Sequence, residues 1–312
     1  GALQGTIIDQ VVNSVSVPFS AQVNPWNATT HKSPLAATYT ARLSIADPSL
    51  VGTNPNVLPP GKPANAVYPQ GGGYATVAVT AAGGVTWIGK MGDGSSPATT
   101  YTTTLAADGT FPVHLALNAG TGASQGIVTA AADMANTNNH LPLLDGTLDW
   151  SKNMQPFNST DRTYKNGIPL FNLTVAGGQY VVPAAGTPVL GLPGSGVTGM
   201  NNIGIRFTDG GLTTAEAASL ARALRITPAN AVDLSNPAAN TVSLSLSLNA
   251  TTGAMTGGFT LTDGGATRHV TYTGLLVPRL SVNQGVGYFL LPALPNTTTS
   301  ALLSGMVVMQ GP

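Results

Sequence analysis

The 312-residue chain carries twelve basic and twelve acidic residues, and only 8% of its residues are charged, where globular proteins carry about 25%. No run of Lys or Arg occurs, which excludes an electrostatic footprint for nucleic acid or an anionic membrane surface. Cysteine is absent, so disulfides and thiolate metal sites are excluded too.

The length allows two domains, each able to bury a core of its own. The sequence opens Gly1-Ala2-Leu3 without an initiator Met, which suits a mature extracellular or cell-surface chain after signal-peptide removal. Leu3, Ile7, Val11 and Val15 fit helical i,i+4 spacing, whereas Val15, Val17, Phe19, Ala21 and Val23 alternate strictly. Alternation is the mark of a half-buried strand, and the favoured reading is an extended strand from Val15 onward. Residues 1–25 are expected to form an extended arm. Trp26, beside Pro25, is the Trp expected to be exposed.

Further along, Tyr74-Ala-Thr-Val-Ala-Val-Thr80 and Thr241-Val-Ser-Leu-Ser-Leu-Ser-Leu248 place apolar residues at every second position, predicting antiparallel strands. Gly follows Asp93, Asp108, Asp145, Asp209 and Asp263, and Asn166. Asp-Gly and Asn-Gly accept the positive φ of tight hairpin turns, so all six pairs are expected at turns. Pro and Gly clusters at 58–61, 183–186 and 192–196 mark long connections and put a domain cut near residue 185. Residues 26–185 and 186–312 are then two β-domains. One helix is expected, from Thr213 to Ile226: Thr213 and Glu216 have capping-box spacing, and Leu220 and Leu224 share a face. The longest apolar stretches, Leu173 to Leu192 and Ala301 to Met309, are too short or too broken by Gly and Pro to span a bilayer. No membrane insertion is expected.

The segment around Val79 (strand, Gly84-Val-Thr-Trp-Ile-Gly89, Asp93-Gly94) parallels that around Leu248 (strand, Gly253-Ala-Met-Thr-Gly-Gly258, Asp263-Gly264), suggesting two related halves. Together with Asp108-Gly-Thr-Phe-Pro-Val113, Leu144-Asp-Gly-Thr-Leu-Asp-Trp150, Gly285-Val-Gly-Tyr-Phe-Leu290 and Ser304-Gly-Met-Val-Val308, these pieces resemble the Gly/Thr-rich β modules of large exported bacterial surface proteins. The resemblance implies an extracytoplasmic surface or matrix role and carries no catalytic residues to transfer.

The chemistry-bearing residues are sparse. His31, His114, His140 and His269 lie far apart, without metal-binding spacing. His114 alternates with Val113, Leu115 and Leu117 and so faces away from the core. Asp145 and Asp149 share a strand face and could be imagined as a glycosidase pair, but two Asp on a wet face is the simpler account. Gly194-Ser-Gly-Val-Thr-Gly199 matches G-x-G-x-x-G without the strand and helix that would make it a phosphate cradle. Sequons begin at Asn27, Asn158, Asn172, Asn249 and Asn296; they permit glycosylation without arguing for it. Trp87 and Trp150 sit in alternating strands, where burial is the default.

The sequence therefore reads as an all-β protein of two tandem antiparallel β-barrel or β-sandwich domains with one short helix. It is expected to be non-enzymatic, with no cofactor or metal. The expected function is a structural subunit of an extracellular fibre, sheath or surface layer, with copies of itself as partners. Strands poor in Lys invite edge pairing, and the candidate interface is Leu3, Ile7, Val11, Val15, Val17 and Phe19, donated as a strand to a neighbour. The alternative is an adhesin or carbohydrate-binding module with polysaccharide as partner and Trp26 as the glycan contact.

Overall fold

The computed structural model describes residues 2–8, 16–52, 66–117, 122–133, 141–191, 201–234, 240–263, 265–278 and 284–311. The elements in chain order are β1 (Ala2–Ile8), β2 (Ser16–Gln22), β3 (Ala37–Ile45), β4 (Gly73–Val79), β5 (Gly84–Lys90), β6 (Tyr101–Thr104), β7 (Thr110–Leu117), β8 (Gly122–Ala131), β9 (Leu143–Lys152) and β10 (Ile168–Gln179). They continue as β11 (Ile203–Asp209), α1 (Thr214–Leu220), β12 (Arg222–Ile226), β13 (Val232–Asp233), β14 (Ser245–Leu248), β15 (Ala254–Asp263), β16 (Ala266–Val277), β17 (Gln284–Pro292) and β18 (Leu302–Gln310).

Strands β3 to β10 form one eight-stranded antiparallel sheet and β11 to β18 a second. In each, the first strand pairs with the last, β3 with β10 and β11 with β18, so each sheet curls into an up-and-down barrel. Each has one open seam, between β6 and β7 in the first and between β13 and β14 in the second. Two tandem β-barrels with one short helix are thus present, as the sequence indicates. Residue 185 lies in the connection between β10 and β11.

An eight-stranded barrel is just wide enough to be filled by side chains, and the alternation of each strand supplies them. The first core holds Tyr39, Trp87, Phe111, Leu144 and Trp150; the second packs Phe207 edge-on against Phe259, Tyr272 and Phe289 at centroid distances of 5.0 to 6.0 Å. Both Trp87 and Trp150 are buried, and His114 lies on the outer face of β7.

Several local expectations are corrected. The helix ends at Leu220, and residues 222–226 are strand β12. The capping box at Thr213 and Glu216 forms as expected, but Leu224 and Ile226 enter the barrel core from a strand that pairs with β11. Strand β14 begins four residues after Thr241, because the Asn240 carboxamide binds both the N–H and the carbonyl of Leu244 in a turn with Ser243 at positive φ. Asp145-Gly146 is not a turn. It lies inside β9, where a side chain at Gly146 would collide with the Ile127 carbonyl of β8. The other pairs described in full, at Asp93, Asp108, Asp209 and Asn166, do place Gly at positive φ. The two segments of the internal similarity also differ in position: β4 and β5 are the second and third strands of their sheet, whereas β14 and β15 are the fourth and fifth of theirs. They share a strand-and-turn pattern rather than equivalent places.

The barrels are joined by hydrogen bonds as well as apolar contact. Thr40 Oγ1 donates to the Leu276 carbonyl at 2.7 Å, Gly72 N to the Gly287 carbonyl at 3.1 Å, and Tyr180 OH to the Ala250 carbonyl at 2.6 Å. Leu275, Val277 and Val286 of the second barrel form a buried patch with Tyr74 of the first. Ser304 ties three segments together. Its hydroxyl donates to the Gly92 carbonyl and accepts from Gly71 N at 2.9 Å, while its N–H donates to Tyr164 OH at 3.2 Å. Ser304→Ala strands two main-chain groups inside this junction, and we expect a loss of about 1–3 kcal/mol. Denaturant unfolding checks it; an unchanged midpoint would remove Ser304 from the account.

Candidate assembly site

The N-terminal segment is a hairpin. Strands β1 and β2 pair antiparallel, with Leu3 opposite Ala21, Gly5 opposite Phe19 and Ile7 opposite Val17, in a two-stranded sheet separate from both barrels. Directly paired residues share a face, so the register puts Leu3, Ile7, Val17 and Phe19 at positions of one face. Leu3 is 63% exposed. The i,i+4 pattern of Leu3 and Ile7 is thereby resolved as strand. Val11 and Val15 lie outside the described residues. A two-stranded hairpin is marginal by itself in water, and both its outer edges are free of the barrel sheets.

The root of this arm is fixed where Asn24 Nδ2 donates to the Ala82 carbonyl at 2.9 Å. Trp26 is not the exposed ring expected of it. It packs against the first core, stacks on His31 at 5.1 Å, donates from Nε1 to the Ala106 carbonyl at 3.4 Å, and fits against Gly83, whose φ is +76°. A ring so placed closes an end of the barrel. Among the described residues the fully exposed aromatic is Phe157. Its carbonyl, with that of Ser159, accepts from Lys165 Nζ at 2.6 and 2.9 Å.

A groove of about 430 Å³ runs beside the far end of β5, between Trp87–Lys90 and Ser96–Thr100. It exists because β6 pairs with β5 only as far as Trp87; before that, the chain crosses to bridge Pro97 with Leu117 of β7. Ile88, 61% exposed, and Tyr74 form much of its wall. Lys90 is the one charged residue in its lining.

Charged side chains gather in two places that no sequence motif marked. Lys152, on the inward side of β9 with Leu148 and Trp150, is 3% exposed. Its Nζ donates to Asp161 Oδ2 at 2.7 Å and to the Thr163 carbonyl at 2.6 Å, with Asp93 Oδ2 at 4.0 Å. Burial pushes the Asp93 carboxyl above its ordinary value, against the opposing effects of its bonds from Ser95 and the charge of Lys152. In the second barrel, Arg268 bridges Glu216 and Asp263 and donates to the Pro292 carbonyl at 3.1 Å. The Asp263 carboxyl is raised, first by its hydrogen bond with Glu216. Burial opposes ionisation of Glu216, but the bonds from Asp263 and Thr213 and the charge of Arg268 outweigh it and hold that carboxyl low. In both clusters the cation is held by carboxylates and main-chain carbonyls, an arrangement that pins α1 and the loop after β9 to their barrels. A cation on the inward face of a strand was the available sequence signal, since buried charges require partners.

Asp145 and Asp149 remain on the outer face of β9. Asn27, Asn249 and Asn296 of the sequons each cap a turn through Oδ1, which gives N-x-T at these places a structural reason. Among the described residues no His, Cys, Asp and Glu cluster suits a metal, and no helix is long and apolar enough to cross a membrane. His140 and the Gly194–Gly199 motif lie outside the described residues. No protein-family model, curated protein or solved structure matches the chain.

The Asp93 carboxyl has a checkable consequence. A carboxyl raised by folding binds its proton more tightly in the folded state, so its contribution to stability is present below the unfolded value near 3.8 and is lost as pH rises through the folded value. Asp93→Asn keeps an acceptor for Ser95 but cannot ionise. We expect the melting temperature of the variant relative to the parent to shift in the variant's favour between pH 3 and 7, roughly as linkage requires. A difference constant with pH would contradict a raised Asp93.

Proposed function

We propose that this chain is a structural, non-catalytic subunit of an extracellular assembly that self-associates through its N-terminal arm. The observation that carries the reading is a sheet of only two strands, β1 and β2, whose outer edges pair with neither barrel sheet, although Ala21 lies beside Thr104 and Pro112 of the first barrel. Free strand edges recruit strands, and β1 lacks the usual deterrents, with neither a charge nor a proline, whereas Pro18 removes a donor from β2. Net neutrality removes long-range repulsion between copies. Each barrel interior is filled by side chains, and both charge clusters are occupied with internal partners, so neither supplies an acid poised toward a substrate. The carbohydrate-binding alternative loses Trp26, the residue it rested on, and now rests on the exposed Phe157.

Deletion of residues 1–22 tests the proposal. The barrels keep all their strands, so the truncated chain should remain folded by circular dichroism yet sediment as a monomer where the full chain associates. Association unaffected by the deletion would overturn the proposal.

A further inference from the structure

We propose that the groove at the end of β5 receives a strand of the N-terminal arm of a second copy of this chain. This rests on the assembly reading above and names the surface that accepts the arm. The seams leave open edges on β6, β7, β13 and β14, in addition to the unpaired end of β5. They are not equivalent: β6 and β13 are only four and two residues long. On β7, Pro112 has no N–H to offer and its carbonyl already accepts from Tyr101 OH at 3.2 Å; a proline on an edge blocks pairing. The edge of β14 spans only four residues. At β5 the partner strand stops at Trp87 while β5 continues through Ile88 and Gly89 to Lys90, and the groove opens beside that unpaired length.

The chemistry of the groove specifies its occupant. A strand edge is completed by another strand through main-chain hydrogen bonds, with apolar pockets taking alternate side chains. The groove presents Tyr74, Ile88, Pro97 and Leu275, with Lys90 as its one charge. Among the described residues, β1 and β2 are the strands belonging to neither barrel, they carry no charge to desolvate, and β1 alternates Leu3, Gly5 and Ile7. The arm leaves its own barrel at Asn24, tied to the turn that precedes β5, whereas the groove lies at the opposite end of β5. An arm from one copy entering the groove of the next makes a head-to-tail contact, which leaves a free arm at one end and a free groove at the other and extends into a row unless the rotation closes a ring.

The absence of cysteine permits a direct test on the full chain. Leu3→Cys and Ile88→Cys chains are prepared separately, mixed and oxidised, and a third variant, Ile88→Asp, is followed by sedimentation. Ile88 is 61% exposed, so circular dichroism of Ile88→Asp should match the parent. The proposal expects a disulfide between the two kinds of chain and self-association of Ile88→Asp weakened by about tenfold or more, the cost of placing a charge in an apolar contact. If the parent associates but Ile88→Asp associates equally well and no mixed disulfide forms, the groove is wrong while the assembly reading stands. A double variant, Leu3→Cys with Ile88→Cys, that crosslinks only within one chain at every concentration also overturns it, because the occupant is then the chain's own arm. A parent chain that stays monomeric at high concentration overturns both readings together.

Discussion

The constraint on which this structure depends is the need of every strand to find hydrogen-bond partners for its main chain. Closing each sheet on itself, β10 onto β3 and β18 onto β11, satisfies that need for two sets of eight strands without help from charged edges. The low charge of the chain is tolerable for this reason. A flat open sheet made of the same Thr-, Ser- and Val-rich strands would present long unprotected edges, whereas a barrel leaves only a seam. What the closures leave unpaired is limited: the two seams, the two edges of the N-terminal hairpin and the end of β5.

Closure also explains where the few charges went. With a lumen filled by aromatic and aliphatic side chains, a charged residue on an inward position can persist only with partners, and Lys152 and Arg268 each have carboxylates and a carbonyl around them. These knots fix peripheral segments to the barrels. The junction through Ser304, Gly71 and Gly92 fixes the barrels to each other by main-chain contacts that glycine permits, since a side chain at Gly71 would meet Ser304, Tyr288 and the Gly92 carbonyl. The proposed assembly adds to this body an arm whose outer edges, among the described residues, pair with neither barrel sheet.

The local pattern of the fold was legible in the sequence. Alternation located β4 and β5, Asp-Gly pairs located turns, and Thr213 with Glu216 marked the start of α1. What failed was whatever depends on distant residues. Residues 222–226 satisfy a helical spacing and a strand alternation equally, and pairing with β11 decides between them. Asp145-Gly146 has the composition of a turn, yet Gly is there because β8 passes close. Trp26 looked exposed because nothing near it in sequence shows that Gly83 and Ala106 come to meet it. The groove beside β5 was illegible for the same reason, being made by a partner strand that turns away. Val17 and Phe19 were placed correctly in a strand, while β1 as its partner was hidden by the i,i+4 spacing of Leu3 and Ile7.

We propose that the main-chain groups left over after barrel closure are completed by other copies of the chain. Electron microscopy of the purified protein at high concentration should then show unbranched rows of particles, each two barrels long, joined at a constant spacing. Dispersed single particles at every concentration would rule this out.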